Sequence, residues 1–258
     1  MSEFLSGRIA VVTGASSGIG KAIVQQLVSH GVKVIANARR KQRLQELERT
    51  FNKDSLKVKS IAGDANQQEV VDSLLDAAPA TFGSEADIVI VNAGRGLAGS
   101  VISSDIEQWD ELVQINILGC LRMMRSAGLR LTNNAQKYRW PTKPQDMVIL
   151  GSSVGRHISP FSSVYGATKF AVNSLAEALR REIGPKGVRV TLIEPGIVES
   201  EFQSVAGYDS QWFNEFVERI GPALKPEHIA QLVCFIISQP AYIHINDVVV
   251  RPTRQDYP

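Results

Sequence analysis

Short apolar runs alternate with longer stretches of helical spacing from one end of the chain to the other. The runs at 8–13, 32–38, 56–63, 86–94, 146–153, 188–196 and 245–253 are rich in Val and Ile and predict strands. Several are almost continuously apolar, the pattern of parallel strands covered on both faces. Between them, residues 21–31, 40–51, 67–83 and 106–131 place apolar side chains three and four apart, which predicts helices. A further helix follows Tyr165, where FAVNSLAEALRREI keeps the same spacing. Gly31, Gly63 and Gly187 punctuate element ends. The stretch 132–145 holds Pro141 and Pro144, is longer than a usual connection, and reads as a solvated surface loop.

Seven strands alternating with helices predict a single α/β domain spanning 1–258. Its expected form is a Rossmann-type, doubly wound parallel sheet of order 3-2-1-4-5-6-7 with helices on both faces. Composition leaves that picture intact: of 258 residues, 44% are hydrophobic and 21% charged, the balance of a soluble globular protein. A net charge of +2 provides no general attraction to nucleic acid or membrane. No apolar run approaches the roughly 18 residues of a membrane span. Cys120 and Cys234 lie far apart within helical patterns, so a reducing, cytoplasmic setting is expected and no disulfide framework. His30, His157, His228 and His244 share no ligand spacing, so no metal site is expected.

Two places carry candidate chemistry. The first strand runs into Thr13-Gly14-Ala15-Ser16-Ser17-Gly18-Ile19-Gly20 and then a helix. A tight glycine turn before a helix N-terminus brings free N–H donors close to a dinucleotide pyrophosphate. At the end of the second strand stand Asn37-Ala38-Arg39-Arg40, two guanidiniums where an NAD site would carry an acid. That favours the 2′-phosphate of NADP(H). The second place is Ser152 to Lys169. Tyr165 and Lys169 are four apart, on one helical face, and a lysine cation there is expected to lower the phenol pKa. Ser152, thirteen residues before the tyrosine, ends an apolar run and brings a hydroxyl to the same spot.

Together, Thr13–Gly20, Asn92-Ala93-Gly94, Asn116, Ser152, Tyr165-x-x-x-Lys169 and Pro195-Gly196 resemble the short-chain dehydrogenase/reductase family in order and spacing. The resemblance implies hydride transfer between a secondary alcohol and its ketone or aldehyde, with a proton relay of Asn116, Ser152, Tyr165 and Lys169. Ser152 and Tyr165 would hold the substrate oxygen, and Lys169 the nicotinamide ribose. Asn116 would anchor a water. Gly14, Ser16, Ser17, Gly18, Ile19 and Gly20 would cradle the pyrophosphate, with Arg39 and Arg40 at the 2′-phosphate. Asp64 and Ala65 would meet the adenine, although Asp64 alone could equally cap the next helix. Asn92, Ala93 and Gly94 would let the cofactor approach closely, and Pro195, Gly196, Val198 and Ser200 would cover the nicotinamide. The family also implies a homotetramer or homodimer, built on the helices carrying Asn116 and Tyr165 together with the C-terminal strand.

A narrower similarity, in VYGATK, RVTLIEPG followed by SEF, and VVVRPTRQ, is to NADP-dependent 3-hydroxy acid (serine or allo-threonine) dehydrogenases. It implies a cation for a substrate carboxylate, with Arg95 and Arg156 as candidates. The other reading of these two arginines is that they reach solvent or the protein's own acids. The site would then reduce neutral ketones or aldehydes, in a pocket walled mainly by Leu97, Val154, Phe161 and the segment after Gly196. A rival from another class is a dinucleotide-binding regulator without turnover, against which the intact Asn-Ser-Tyr-Lys set argues.

Overall fold

In the computed structural model, residues 2–257 are described; Met1 and Pro258, the ends of the expected 1–258 domain, lie outside them. The chain opens with α1 (Ser2–Leu5), β1 (Ile9–Val12), α2 (Gly18–Ser29), β2 (Lys33–Ala38), α3 (Lys41–Phe51), β3 (Val58–Ala62), α4 (Gln68–Phe82) and β4 (Ile88–Val91). Next come α5 (Trp109–Val113), a π-helical segment (Gln114–Gly119), α6 (Cys120–Ala135), β5 (Gln145–Leu150), α7 (Ser163–Ile183) and β6 (Val188–Pro195). The last elements are α8 (Phe202–Ala206), α9 (Ser210–Ile220), α10 (Pro226–Ile237) and β7 (Asp247–Val250).

The strands form one sheet of order β3-β2-β1-β4-β5-β6-β7, every pairing parallel, as the alternation of strand and helix predicted. Successive residues of the central strands feed opposite faces. Val12, Val34 and Ile90 pack on one side with Leu27 and Ile229, whereas Val11, Ile35 and Val89 pack on the other with Leu74, Met123 and Val172. Two apolar layers around one sheet account for the unbroken hydrophobic runs.

Charge is buried at the strands' N-terminal ends. Arg8 reaches Asp87 at 2.8 Å and Asp146 at 2.7 Å, and Arg189 grips both oxygens of Asp146 at 2.7 and 2.9 Å. Arg8 and Arg189 also donate to the Ile237 carbonyl, tying α10 to the sheet. These polar groups are fully partnered, so the cluster fixes β1, β4, β5 and β6 relative to one another without leaving an uncompensated charge.

The elements differ from expectation mainly at their ends. β3, β4 and β7 are shorter than their apolar runs because the chain leaves the sheet to build loops at its C-terminal edge. α6 continues to Ala135, with Thr132 and Asn134 buried, so the expected loop at 132–145 shrinks to 136–144. Gln145 is wholly buried and opens β5, where its amide oxygen accepts from Asn134 at 3.0 Å. Between β6 and β7 stand α8, α9 and α10, which the sequence pattern did not resolve. Among the described residues no helix is long and apolar enough to cross a membrane.

Candidate active site

The loops after β1 to β6 meet at the C-terminal edge of the sheet, where an open α/β sheet places its ligand crevice. They enclose a cleft of about 540 Å³. Every expected cofactor residue lines it, from the Gly14–Gly20 turn to Ser200, and so do Ser152, Tyr165, Lys169 and Arg95. Asn116 and Arg156 are not among its lining residues.

The turn after β1 is built for close approach. Gly14 has φ +68°, and a Cβ there would fall 2.6 Å from the Asn92 side chain. Gly18 has φ +50°, open to glycine and costly for other residues. Thr13 locks this turn to the end of β4: its Oγ1 accepts from the amides of Asn92 and Ala93, both at 3.0 Å. Asn92 returns the bond, donating to Thr13 O at 2.9 Å and Gly14 O at 3.3 Å, so its side chain shapes the turn. The first turn of α2 faces the cleft, and Ser200 lies against Gly18. A Cβ-free cradle at a helix N-terminus, lined by cations, fits the pyrophosphate and phosphates of a nicotinamide dinucleotide.

Arg40 donates to Ser16 Oγ at 3.1 Å, to Ser17 Oγ, and to Glu201 at 2.7 Å. Arg43 holds the other oxygen of Glu201. Arg39 is more exposed and pairs with Glu111 at 3.3 Å. Asp64 lines the cleft and accepts from the Asn66 amide at 3.0 Å; it does not cap α4, whose N-cap position is Gln67.

At the deep end, Lys169 donates to the Leu150 carbonyl at 2.8 Å. Burial lowers its pKa to about 8. Burial also pushes the Tyr165 phenol well above its ordinary value, with the Ser152 hydroxyl bond pulling it partly back. This corrects the expectation of a phenol acidified by Lys169. Desolvation is the largest influence on the phenol and keeps Tyr165 in its acid form. Ser152 Oγ also accepts from the Val154 amide at 3.4 Å, which fixes it at the start of a short 3₁₀ turn.

Asn116 sits in the π-helical segment, behind the cleft and 2% exposed. Its amide group is spent: Oδ1 accepts from the Arg95 amide at 2.9 Å, while Nδ2 donates to Arg95 O at 2.9 Å and Thr168 Oγ1 at 3.0 Å. Thr168 in turn donates to Tyr165 O at 2.7 Å. Asn116 therefore braces the loop after β4 against the helix bearing Tyr165, and its side chain is not a free anchor for water.

The two candidate carboxylate receptors are both committed elsewhere. Arg156 turns to Glu194, a fully buried acid, with Nε–Oε2 at 3.0 Å. The two line a separate hollow of about 310 Å³ between α7, β6 and β7. Arg95 lines the main cleft, but Glu111 and Gln108 occupy its guanidinium. The acid-binding expectation for Arg95 and Arg156 is corrected accordingly, because each cation already faces an internal acid.

Several site residues escaped the sequence: Thr13 as a lock, Thr168, Arg43 with Glu201, and the aromatics of α8 and α9. Tyr208, Trp212 and Phe216 recur at four-residue intervals, a stripe that reads equally well as core.

The chain belongs to the short chain dehydrogenase family, whose model matches residues 8–210. It is similar to an uncharacterized oxidoreductase from Staphylococcus aureus (strain MW2), 33% identical over 248 residues, covering 96% of this chain and 98% of that protein. Among solved structures it is similar to the closed form of serine dehydrogenase complexed with NADP+ (29% identity, TM-score 0.84, 96% of each chain). It is also similar to 3-ketoacyl-(acyl-carrier-protein) reductase from Brucella melitensis complexed with NADH (26% identity, TM-score 0.85, 97% of this chain and 99% of that one). Oxidoreductase chemistry with a nicotinamide dinucleotide is the common ground of this family.

Proposed function

We propose that the protein is an NADP(H)-dependent dehydrogenase/reductase interconverting a secondary alcohol and its ketone or aldehyde. The observation that carries this reading is the convergence of Ser152, Tyr165 and Lys169 on the cleft bordered by the Gly14–Gly20 turn. When bound, the nicotinamide supplies or accepts the hydride. The chain's own residues manage the proton. In reduction, Tyr165 donates its phenolic proton to the carbonyl oxygen, and Ser152 Oγ–H donates a hydrogen bond to the same oxygen as charge develops there. Lys169, its ammonium 5.9 Å from the tyrosine ring centre, stabilises the phenolate that remains. Asn116 acts through position, holding Arg95 and Thr168 and hence the tyrosine helix.

NADP(H) is preferred over NAD(H) in this reading because the end of β2 offers Arg39 and Arg40 and no carboxylate. Arg40, beside Ser16 and Ser17, is the stronger candidate for the 2′-phosphate. Cys120 and Cys234 are buried and unpaired, in keeping with a reducing, cytoplasmic setting. A homodimer or homotetramer through α5 to α7 and β7 completes the reading. The deciding experiment is NADPH oxidation against a panel of ketones and aldehydes, with Tyr165→Phe as control. NADPH binding without turnover of any carbonyl would favour the regulator instead.

A further inference from the structure

The half of the cleft beyond Tyr165 is walled by aromatic rings. Tyr208 and Trp212 stack with centroids 6.2 Å apart, and Trp212 and Phe216 stack at 5.5 Å, so one face of α9 and its approach forms a flat column. Phe202 lies 5.5 Å from the Tyr165 ring. Opposite, Phe161 stands 6.0 Å from Trp212 and edge-on to Tyr257, again at 6.0 Å. Phe161 is 55% and Trp212 41% exposed, large apolar area left open at the mouth of a cleft.

Tyr257 reaches this wall because the C-terminal segment folds back over it. Gln255, only 7% exposed, accepts from the Ile197 amide at 2.9 Å, which fastens the segment to the loop after β6. Asp256 pairs with Arg219 of α9 at 2.6 Å. Tyr257 then donates its hydroxyl proton to Ile158 O at 3.0 Å, which sets the ring against Phe161.

Charge is missing from the same walls. The described lining residues contributed by 153–162, 202–216 and Tyr257 include no cation and no carboxylate. Of the cations elsewhere in the cleft, Arg39 and Arg40 stand at the end of β2 that this reading gives to the 2′-phosphate, Arg95 pairs with Glu111, and Lys169 donates to the Leu150 carbonyl. A carboxylate entering here would lose water and find no free partner. A flat, uncharged ring would meet aromatic faces and edges at stacking distance.

We propose that this half of the cleft selects an uncharged carbonyl compound bearing an aromatic ring, and that Tyr257, placed by the folded-back C-terminal segment, is a specificity-determining residue for it. The inference rests on the reductase reading for turnover but not for binding. The test therefore has two arms: kcat/KM with NADPH for benzylacetone against acetoacetate, and calorimetric binding of benzylacetone to the protein without cofactor. Wild type is expected to prefer benzylacetone by about tenfold or more. Tyr257→Ala should raise KM and Kd for benzylacetone by about three- to tenfold, the worth of an aromatic contact, with a much smaller change in kcat. Tyr257→Phe, which keeps the ring but loses the Ile158 bond that sets it, should fall between Tyr257→Ala and wild type. Asp256→Ala, which removes one tie of the segment and leaves Gln255 in place, should move KM and Kd in the same direction as Tyr257→Ala by a smaller amount. Acetoacetate reduced as well as or better than benzylacetone, or a Tyr257→Ala protein with unchanged Kd, would overturn the assignment while leaving the reductase reading in place. Tyr257-dependent binding of benzylacetone with no carbonyl reduced would uphold the assignment and sink the reductase reading.

Discussion

The Lys169 ammonium stands 5.9 Å from the ring centre of Tyr165, and both groups are displaced toward their neutral forms by burial. For the lysine the shift brings its pKa from 10.5 to about 8. The amine then loses its charge within an accessible pH range, and with it an attraction for an anionic dinucleotide. NADPH affinity should fall as pH rises above about 8, by at most about tenfold per unit for one linked proton. Titration calorimetry from pH 7 to pH 10 reads this directly, and the slope should vanish in Lys169→Met. A slope unchanged by that substitution would assign the titration to another group. The folding linkage has the opposite sense. Between about 8 and 10.5 the folded protein binds fewer protons at this site than the unfolded chain, so the group's destabilisation, complete below 8, is relieved as pH rises.

Tyr165→Phe keeps the ring that packs on Phe202 and removes only the proton donor. Its kcat for carbonyl reduction should drop on the order of 10²-fold or more, with NADPH binding retained. Turnover close to wild type would mean that the proton comes from elsewhere, and Tyr208 would be the next phenol to test.

Which parts of this protein could be seen in the chain follows from how local each signal is. Strand order, the glycine turn and the Tyr165/Lys169 pair rest on contiguous residues with fixed spacing, and the sheet edge brings them together as expected. The states of Arg95 and Arg156 do not. Each is set by an acid far along the chain or on another element, Glu111 for one and Glu194 for the other. The sign of the tyrosine shift was equally hidden, because spacing reports a neighbouring cation but not the loss of solvent around the phenol. Asn116 could be singled out by pattern, yet its hydrogen bonds to Arg95 and Thr168 depend on the π-helical segment that carries it. Helices α8 and α9 bury little, and their aromatic stripe resembled ordinary core.

Cofactor choice separates two neighbouring arginines. Arg40 touches both serines of the glycine turn, whereas Arg39 points to Glu111. Arg40→Ala should therefore weaken NADPH by about 1.5–3 kcal/mol, the worth of a charge-assisted bond, and NADH far less. Arg39→Ala should have the smaller effect. Glu201→Gln removes the acid that holds Arg40 and Arg43, so NADPH should bind it at least as tightly as wild type. Equal losses for both cofactors in Arg40→Ala would remove the 2′-phosphate from this position.

The buried cluster at the other end of the strands makes a stability prediction. The Asp146 carboxylate accepts three hydrogen bonds from two cations, one from Arg8 and two from Arg189, and its side chain is 2% exposed. Removing it leaves Arg8 with Asp87 as its one acid and the buried Arg189 guanidinium with none among the described residues. Asp146→Ala should cost about 3–5 kcal/mol in urea unfolding. The cleft lies at the opposite sheet edge, so folded Asp146→Ala protein should still bind NADPH. A loss under about 1 kcal/mol would show that water relieves the exposed charges.

Assembly gives the last prediction. Leu129 on α6 is 59% exposed and Phe170 on α7 is 42% exposed, although the same helices bury Met123, Ala127, Leu131, Val172 and Ala176 against the sheet. β7 closes the sheet as an edge strand, with Val248, Val249 and Val250 only partly covered. An apolar edge of this kind is a pairing surface unless something covers it. A second copy of the chain related by a two-fold axis would cover the helical face with the same face of its neighbour. Light scattering should accordingly give twice or four times the monomer mass at micromolar concentration. Phe170→Asp, which places a carboxylate where that face would meet its copy, should shift the mass downward without unfolding the chain, since Phe170 makes no part of the core. A wild-type protein that stays monomeric would overturn the oligomer, and an unchanged mass in Phe170→Asp would move the interface away from α7.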